Sequence, residues 1–218
     1  MKNNGKIVFY NILNYIHVIF WLSLLSVLTI YLTLGILLIP SLTSVYIIGK
    51  EIILGDYDMT DSVFKRFFGG VRSRIGMMRY FPLQIIFCLE AAGVYAGHIT
   101  GMSIISYVCT VLMSLVLTYT IYICLCRVHM EQKCDLITVA VIMLYSLPSA
   151  LSIWLILTIV CLFFCPAVMI ASLLIGALVL IVMQGVAMIG ILKFKEDTSQ
   201  LTEKEKTLIA RLLPGERS

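Results

Sequence analysis

Of 218 residues, 61% are hydrophobic and 13% charged, with 16 Lys and Arg against 12 Asp and Glu for a formal net charge of +4. A soluble domain is about 45–50% apolar and about 25% charged, and a chain of this length has too much surface per volume to hide the excess from water. Composition, with a mean hydropathy of +1.02, therefore excludes a soluble enzyme, a nucleic-acid-binding domain, a disordered chain and a secreted disulfide scaffold, and points to an all-α integral membrane protein.

Residues 1–15 carry Lys2 and Lys6, with Asn11 and Asn14 among mixed apolar residues. They read as a short external or interfacial N-terminus. The apolar run that follows, at 16–39, is too long for the core of a signal peptide and has no small-residue cleavage pattern after it, so it is expected to be an uncleaved span. A bilayer crossing takes roughly 20 apolar residues, and four further runs qualify: 80–97, interrupted only by Glu90; 103–126; 136–164, with Pro148 inside it; and 166–192. The expected architecture is a five-transmembrane-helix bundle over 16–192. Within it lies a cytoplasmic amphipathic loop at 41–79, and just before that loop Pro40 begins a new helix after the first span.

That loop holds the clearest amphipathic signal. At helical spacing Val63, Phe64, Phe67, Phe68, Val71, Ile75 and Met78 share one face, while Lys65, Arg66, Arg72 and Ser73 fall on or near the other, with Arg74 following. Large aromatics opposite basic residues describe a helix near 61–76 lying in the headgroup plane or docking into a partner's groove. Thr60 or Asp61 is placed to cap it, and Gly69-Gly70 to hinge it.

Span three ends at Arg127 and His129, where the arginine snorkels. Around Pro148 stand Ser146, Ser149 and Ser152, able to satisfy the carbonyl that proline frees. Residues 193–218 form a polar tail with a short helix. Thr202 and Glu205 fit a capping box, Leu208, Ile209, Leu212 and Leu213 make an apolar stripe, and Pro214-Gly215 stops the helix.

Lys and Arg in the loops set the orientation. All but Lys2 and Lys6 of the 16 basic residues fall in 50–79, 127–133 and the tail, which places these on the cytoplasmic side and the N-terminus outside. Seven cysteines, five of them inside expected spans and Cys165 between the last two, do not form a disulfide framework. They read as small hydrophobes, although Cys161 and Cys165 are one turn apart. The chain carries no P-loop, zinc-finger, dinucleotide-binding or hydrolase motif, so no cofactor, metal or catalytic residue is expected.

Glu90 is the carboxylate within a span. It lies eleven residues from Arg79, roughly 16 Å along a helix and hence near the bilayer middle. An ionisable group there is protonated or paired, and serves either a proton relay or a structural hydrogen bond. Gln184, Tyr119 and Tyr122 are its candidate partners at similar depth, and His98 marks the outer mouth of its helix.

The stretch Gly35-Ile-Leu-Leu-Ile-Pro40-Ser-Leu-Thr-Ser-Val-Tyr46, then Lys50, Gly55-Asp56 and Phe64-Lys-Arg-Phe67, resembles the signature of the YesL-like family of small bacterial membrane proteins. Ser41 and Ser44 stand where alanine is common in that family. The resemblance implies a plasma-membrane protein associated with carbohydrate uptake and breakdown, and it supplies no catalytic residues. The expected function is thus a non-enzymatic accessory or regulatory component of solute uptake. The alternative is a small transporter or channel subunit built on Glu90. Expected partners are the anionic inner leaflet of the bilayer and a membrane transporter or a second copy of the chain, with no nucleic acid.

Overall fold

The computed structural model describes residues 2–33, 35–58, 60–130, 135–162, 166–198 and 201–212; among these, side chains are described except at 2–11, 31, 78–79, 98, 160–162, 166–175 and 208–212. All regular structure in this set is helical: α1 (Lys2–Leu32), α2 (Leu38–Leu54), α3 (Val63–Ser73), a 3-10 turn (Ile75–Tyr80), α4 (Phe81–Ile99), α5 (Ser103–His129), α6 (Leu136–Tyr145), α7 (Leu147–Leu162), α8 (Pro166–Asp197) and α9 (Glu203–Leu212). Three segments are long and apolar enough to cross a bilayer, Ile12–Ile30, Ser103–His129 and Gly176–Asp197, and the α6–α7 pair makes a fourth if counted as one bent span. The segment Phe81–Gly97 of α4 is apolar but shorter.

The centre of the molecule is α2. Pro40 sits in its first turn, where a missing N–H costs nothing. Every residue from Ile39 to Tyr46 is buried, because α1, α3, α5 and α8 all pack against this one helix. The stretch after Pro40, read from sequence as loop, is therefore a core element. Two of its polar residues bond locally: Thr43 Oγ1 donates to the Ile39 carbonyl at 2.8 Å and Ser44 Oγ to that of Pro40 at 2.9 Å.

Small residues set how closely the helices approach. A Cβ on Gly70 would lie 2.7 Å from Ser44 Oγ and 3.1 Å from its Cβ, whereas one on Gly69 would meet open space. The glycine pair is thus no hinge: α3 runs through it, and Gly70 is the point where α3 rests on α2. Gly93 and Gly97, four residues apart on α4, face Cys109 and Ser106 of α5 in the same manner, at 2.7 and 2.8 Å. This is the small-xxx-small packing of membrane helices. Ser23 Oγ on α1 accepts the Ala177 N–H of α8 at 2.9 Å and fixes the α1–α8 pair.

Pro148 does more than bend its span. The axes of α6 and α7 differ by 98° across Ser146, whose hydroxyl takes the Ile142 carbonyl at 2.8 Å and reaches Tyr122 OH at 3.0 Å. Proline in the first turn of α7 cannot continue the hydrogen-bond ladder of α6, so the chain restarts in a new direction. The contacts Tyr122–Ser149 and Ser114–Thr158 run α7 antiparallel along α5. By contrast, α6 crosses from Tyr119 on α5, which bonds the Leu136 carbonyl, to the end of α8, where Tyr145 bonds Asp197. Gly190 of α8 admits this corner, with Ser146 Cα 3.0 Å from where its Cβ would be.

Replacing Gly70 by Val drives branched methyl groups into Ser44 and lowers the midpoint of thermal unfolding in detergent. Gly69→Ala leaves it unchanged or raises stability by about 0.5–1 kcal/mol through helix propensity. Equal destabilisation by both substitutions contradicts this packing.

Candidate functional site

The densest polar cluster lies where α5 ends. A helix leaves its last carbonyls without partners, and here the Val128 carbonyl accepts Lys50 Nζ at 3.3 Å while the His129 carbonyl accepts Lys195 Nζ at 3.2 Å. Two ammonium groups at a helix C-terminus also oppose its macrodipole. The Lys195 ammonium then pairs with Glu205 Oε2 at 2.6 Å, at relative exposures of 2% and 1%.

Glu205 is held from its own helix as well. Its Oε2 accepts the Thr202 N–H at 3.0 Å and the Thr202 hydroxyl at 2.9 Å, while its own N–H reaches Thr202 Oγ1 at 3.4 Å. The capping box expected from sequence thus forms in both directions, and the same carboxylate anchors α9 to α8. Burial pushes the Glu205 carboxyl up, but the Lys195 hydrogen bond, the two bonds from Thr202 and the Lys195 charge outweigh it and hold the group below the ordinary glutamate range.

On the inner side of the cluster, the Gln184 amide nitrogen donates to the Tyr46 carbonyl at 2.9 Å and lies 3.0 Å from His129 Nε2. Only the NH2 end of the amide can serve a carbonyl, so its second hydrogen goes to the imidazole, and His129 Nε2 must accept. The His129 N–H is then Nδ1, which is buried with no partner among the described residues, as is Gln184 Oε1. One chain of contacts therefore runs from α9 through Lys195 and His129 to Gln184 and into α2.

The intramembrane candidates do not converge. Glu90 lies near Cys109 of α5. Gln184 meets α5 at His129, twenty residues further on and ~30 Å along the helix. Their expected common depth is replaced by positions towards opposite ends of α5. Tyr122 is fully buried and its hydroxyl joins Ser146 and Ser149 at 3.0 and 3.2 Å, whereas the Tyr119 hydroxyl bonds the Leu136 carbonyl at 2.8 Å. Tyr122 thus serves the α5–α6–α7 corner, and Tyr119 ties the start of α6 to α5.

The basic helix divides likewise. Val63, Phe67 and Val71 form the buried stripe of α3, while Phe64 and Phe68 remain 44% and 48% exposed. Phe64 stacks on Trp21 of α1 with centroids 5.1 Å apart. Arg66 turns inward: it pairs with Glu51 of α2, bonds Asp61 at 2.6 and 2.9 Å and lies over the Tyr57 ring. Lys65 and Arg72 are exposed, and Arg74 is half-buried. The cap of α3 falls on Ser62, not on Thr60 or Asp61, and makes no side-chain bond. The Asp61 carboxylate is taken by Arg66, and Thr60 bonds Asp58 at 2.9 and 2.8 Å.

Arg127, expected to snorkel, donates to Tyr80 OH at 2.9 Å. Cys124 and Cys126 are buried, Cys88 is exposed and Cys109 half-buried. The side chains of Cys134, Cys161, Cys165, His98 and the Leu208–Leu213 stripe lie outside the described residues. Sequence reasoning missed the Lys195–Glu205 pair. The available signal was a lysine within the last turn of an apolar span, followed by a capping-box glutamate whose second oxygen had no assigned partner. Comparison with family models, curated proteins and solved structures finds no match to this chain.

Two outcomes follow from the cluster. Lys195→Met or Glu205→Leu alone strands a buried charge and costs about 3–5 kcal/mol, while the double variant recovers most of that loss; unfolding of the four proteins in detergent measures it. Because the native Glu205 carboxyl titrates low, its contribution is complete above the ordinary glutamate pKa of about 4.3 and fades only as pH falls through the lower native value. Pepsin should therefore spare the tail somewhat below that ordinary pKa and cut it on further acidification, whereas Lys195→Met exposes the tail at every acidic pH.

Proposed function

We propose that the chain is a five-span plasma-membrane protein, with the N-terminus outside and the tail cytoplasmic, that is not an enzyme and assists or regulates solute uptake by contacting a membrane transporter. α1, α4, α5, the bent α6–α7 pair and α8 supply the spans. The bias of basic residues towards 50–79, 127–133 and the tail supports the orientation. The resemblance at 35–67 to the YesL-like family supports carbohydrate as the solute class.

The observation that carries the reading is the separation of the polar groups along α5. Glu90 lies at the Cys109 level and Gln184 at the His129 level, ~30 Å apart along α5. A solute path needs convergent polar groups near one depth. Here Gln184 is taken up by Tyr46 and His129, Glu90 is half-buried, and the interior around α2 is filled by side chains. What the protein offers outward is α3. Its core stripe is covered, while Phe64 and Phe68 with Lys65 and Arg72 remain available to the anionic inner leaflet and to a partner seated on it.

Reporter fusions at residue 70 and at the carboxyl end should fall on the same, cytoplasmic face; opposite faces would overturn the topology. Glu90→Gln should leave solute uptake and copurification of the transporter unchanged, and Lys65→Glu with Arg72→Glu should release the partner. Loss of proton-coupled uptake in Glu90→Gln with partner binding intact would put a transporter in place of an accessory protein.

A further inference from the structure

The 98° corner opens a wedge that the described residues do not fill. A cleft of about 600 Å³ lies between α6 on one side and α5 and α7 on the other, with Leu83 of α4 at its edge. That volume is within the roughly 300–1,000 Å³ typical of small-molecule sites. Its walls include Leu115, Ala140, Met143, Leu151 and Trp154. They are almost entirely apolar, since Tyr119 has its hydroxyl on the Leu136 carbonyl and Thr118 bonds Ser114.

The cleft is continuous with the exposed apolar exterior. Leu115, Leu144 and Leu151 line it and are 49%, 69% and 50% exposed. An apolar surface of that extent is in contact with hydrocarbon if the chain spans a bilayer, and a cleft open to hydrocarbon fills with it.

From these observations we infer that the cleft is a binding site for one acyl chain of a membrane lipid, seated against Trp154 and roofed by α6. The proposal rests on the membrane-spanning reading above and is independent of the partner proposed there. The bound chain completes the packing between α6 and the α5–α7 wall, which protein contacts alone leave open beyond Tyr119 and the corner. Two neighbouring features belong elsewhere: Ser146, Ser149 and Tyr122 close on one another at the corner, and the Lys195–Glu205 pair is a protein contact.

The chain has two tryptophans, Trp21 and Trp154, so Trp21→Phe protein reports from the cleft alone. Reconstituted into phosphatidylcholine vesicles with brominated acyl chains and recovered by flotation, it should lose most of its Trp154 emission relative to unbrominated vesicles. Ala140→Phe, on an exposed position of α6, should fill the cleft and restore emission. Leu151→Phe on α7 does so from the opposite wall, so a folding defect in one variant leaves the other to decide. Native mass spectrometry should show one retained phosphatidylcholine on the Trp21→Phe protein and none on either filled variant.

Quenching that is unchanged by both fillings marks surrounding lipid only and overturns the site. Absence of quenching in protein that floats with the vesicles overturns it equally. Protein that fails to float removes the membrane-spanning reading itself, and the site with it.

Discussion

The last turn of α5 ends with carbonyl groups that no further helical turn can satisfy, in a setting where burial makes an unpaired carbonyl costly. The chain answers with lysines from two other helices. Lys50 comes from α2 and Lys195 from α8, and each reaches one carbonyl. Because Lys195 is itself buried, it needs a counterion, and Glu205 supplies it from α9. Once these groups are in place, α2, α5, α8 and α9 can meet in only one arrangement. The imidazole and amide of His129 and Gln184 extend that arrangement into the core. Buried charge pairs are weak sources of net stability, but they penalise every alternative that separates them.

Close contact elsewhere depends on small residues and locally satisfied hydroxyls. Gly70 lets α3 rest on Ser44, and Gly93 and Gly97 seat α4 on α5. Thr and Ser along α2 and α5 return their hydroxyls to carbonyls of the preceding turn, as with Thr43, Ser44, Thr110 and Thr118. Helix faces can therefore be polar in composition and still pack dry. The same economy accounts for Tyr119 and Tyr122: Tyr122 holds the corner between α6 and α7, and Tyr119 ties the start of α6 to α5.

That corner gives the molecule its asymmetry. On one side lies a filled interior organised around α2, with its polar groups paired towards the end of α5. On the other, α6 stands away from α5 and α7 and leaves an apolar wedge open to the outside. The exposed aromatic and basic residues of α3 have a stiff body behind them. The packing of α3 on α1 and α2, with Arg66 pinned by Glu51 and Asp61, provides it.

The residues themselves determined that the chain is helical and apolar enough for a bilayer, because composition and run length suffice for that. They also determined the start of α2 at Pro40, the amphipathic character of α3 and the Thr202–Glu205 cap, which are all local properties. Three features were legible only in part. Pro148 announced a break but not its 98° angle, Gly69-Gly70 announced an irregularity but not which glycine makes contact, and basic residues on α3 announced a charged face but not that Arg66 turns inward. Tertiary structure alone decided that the stretch after Pro40 is the buried centre, that Glu90 and Gln184 sit at different levels, and that Lys195 finds Glu205. The reason is physical: capping and periodicity act within a few residues of sequence, whereas depth, burial of a helix on all sides and the partner of a buried charge depend on which helices pack against which.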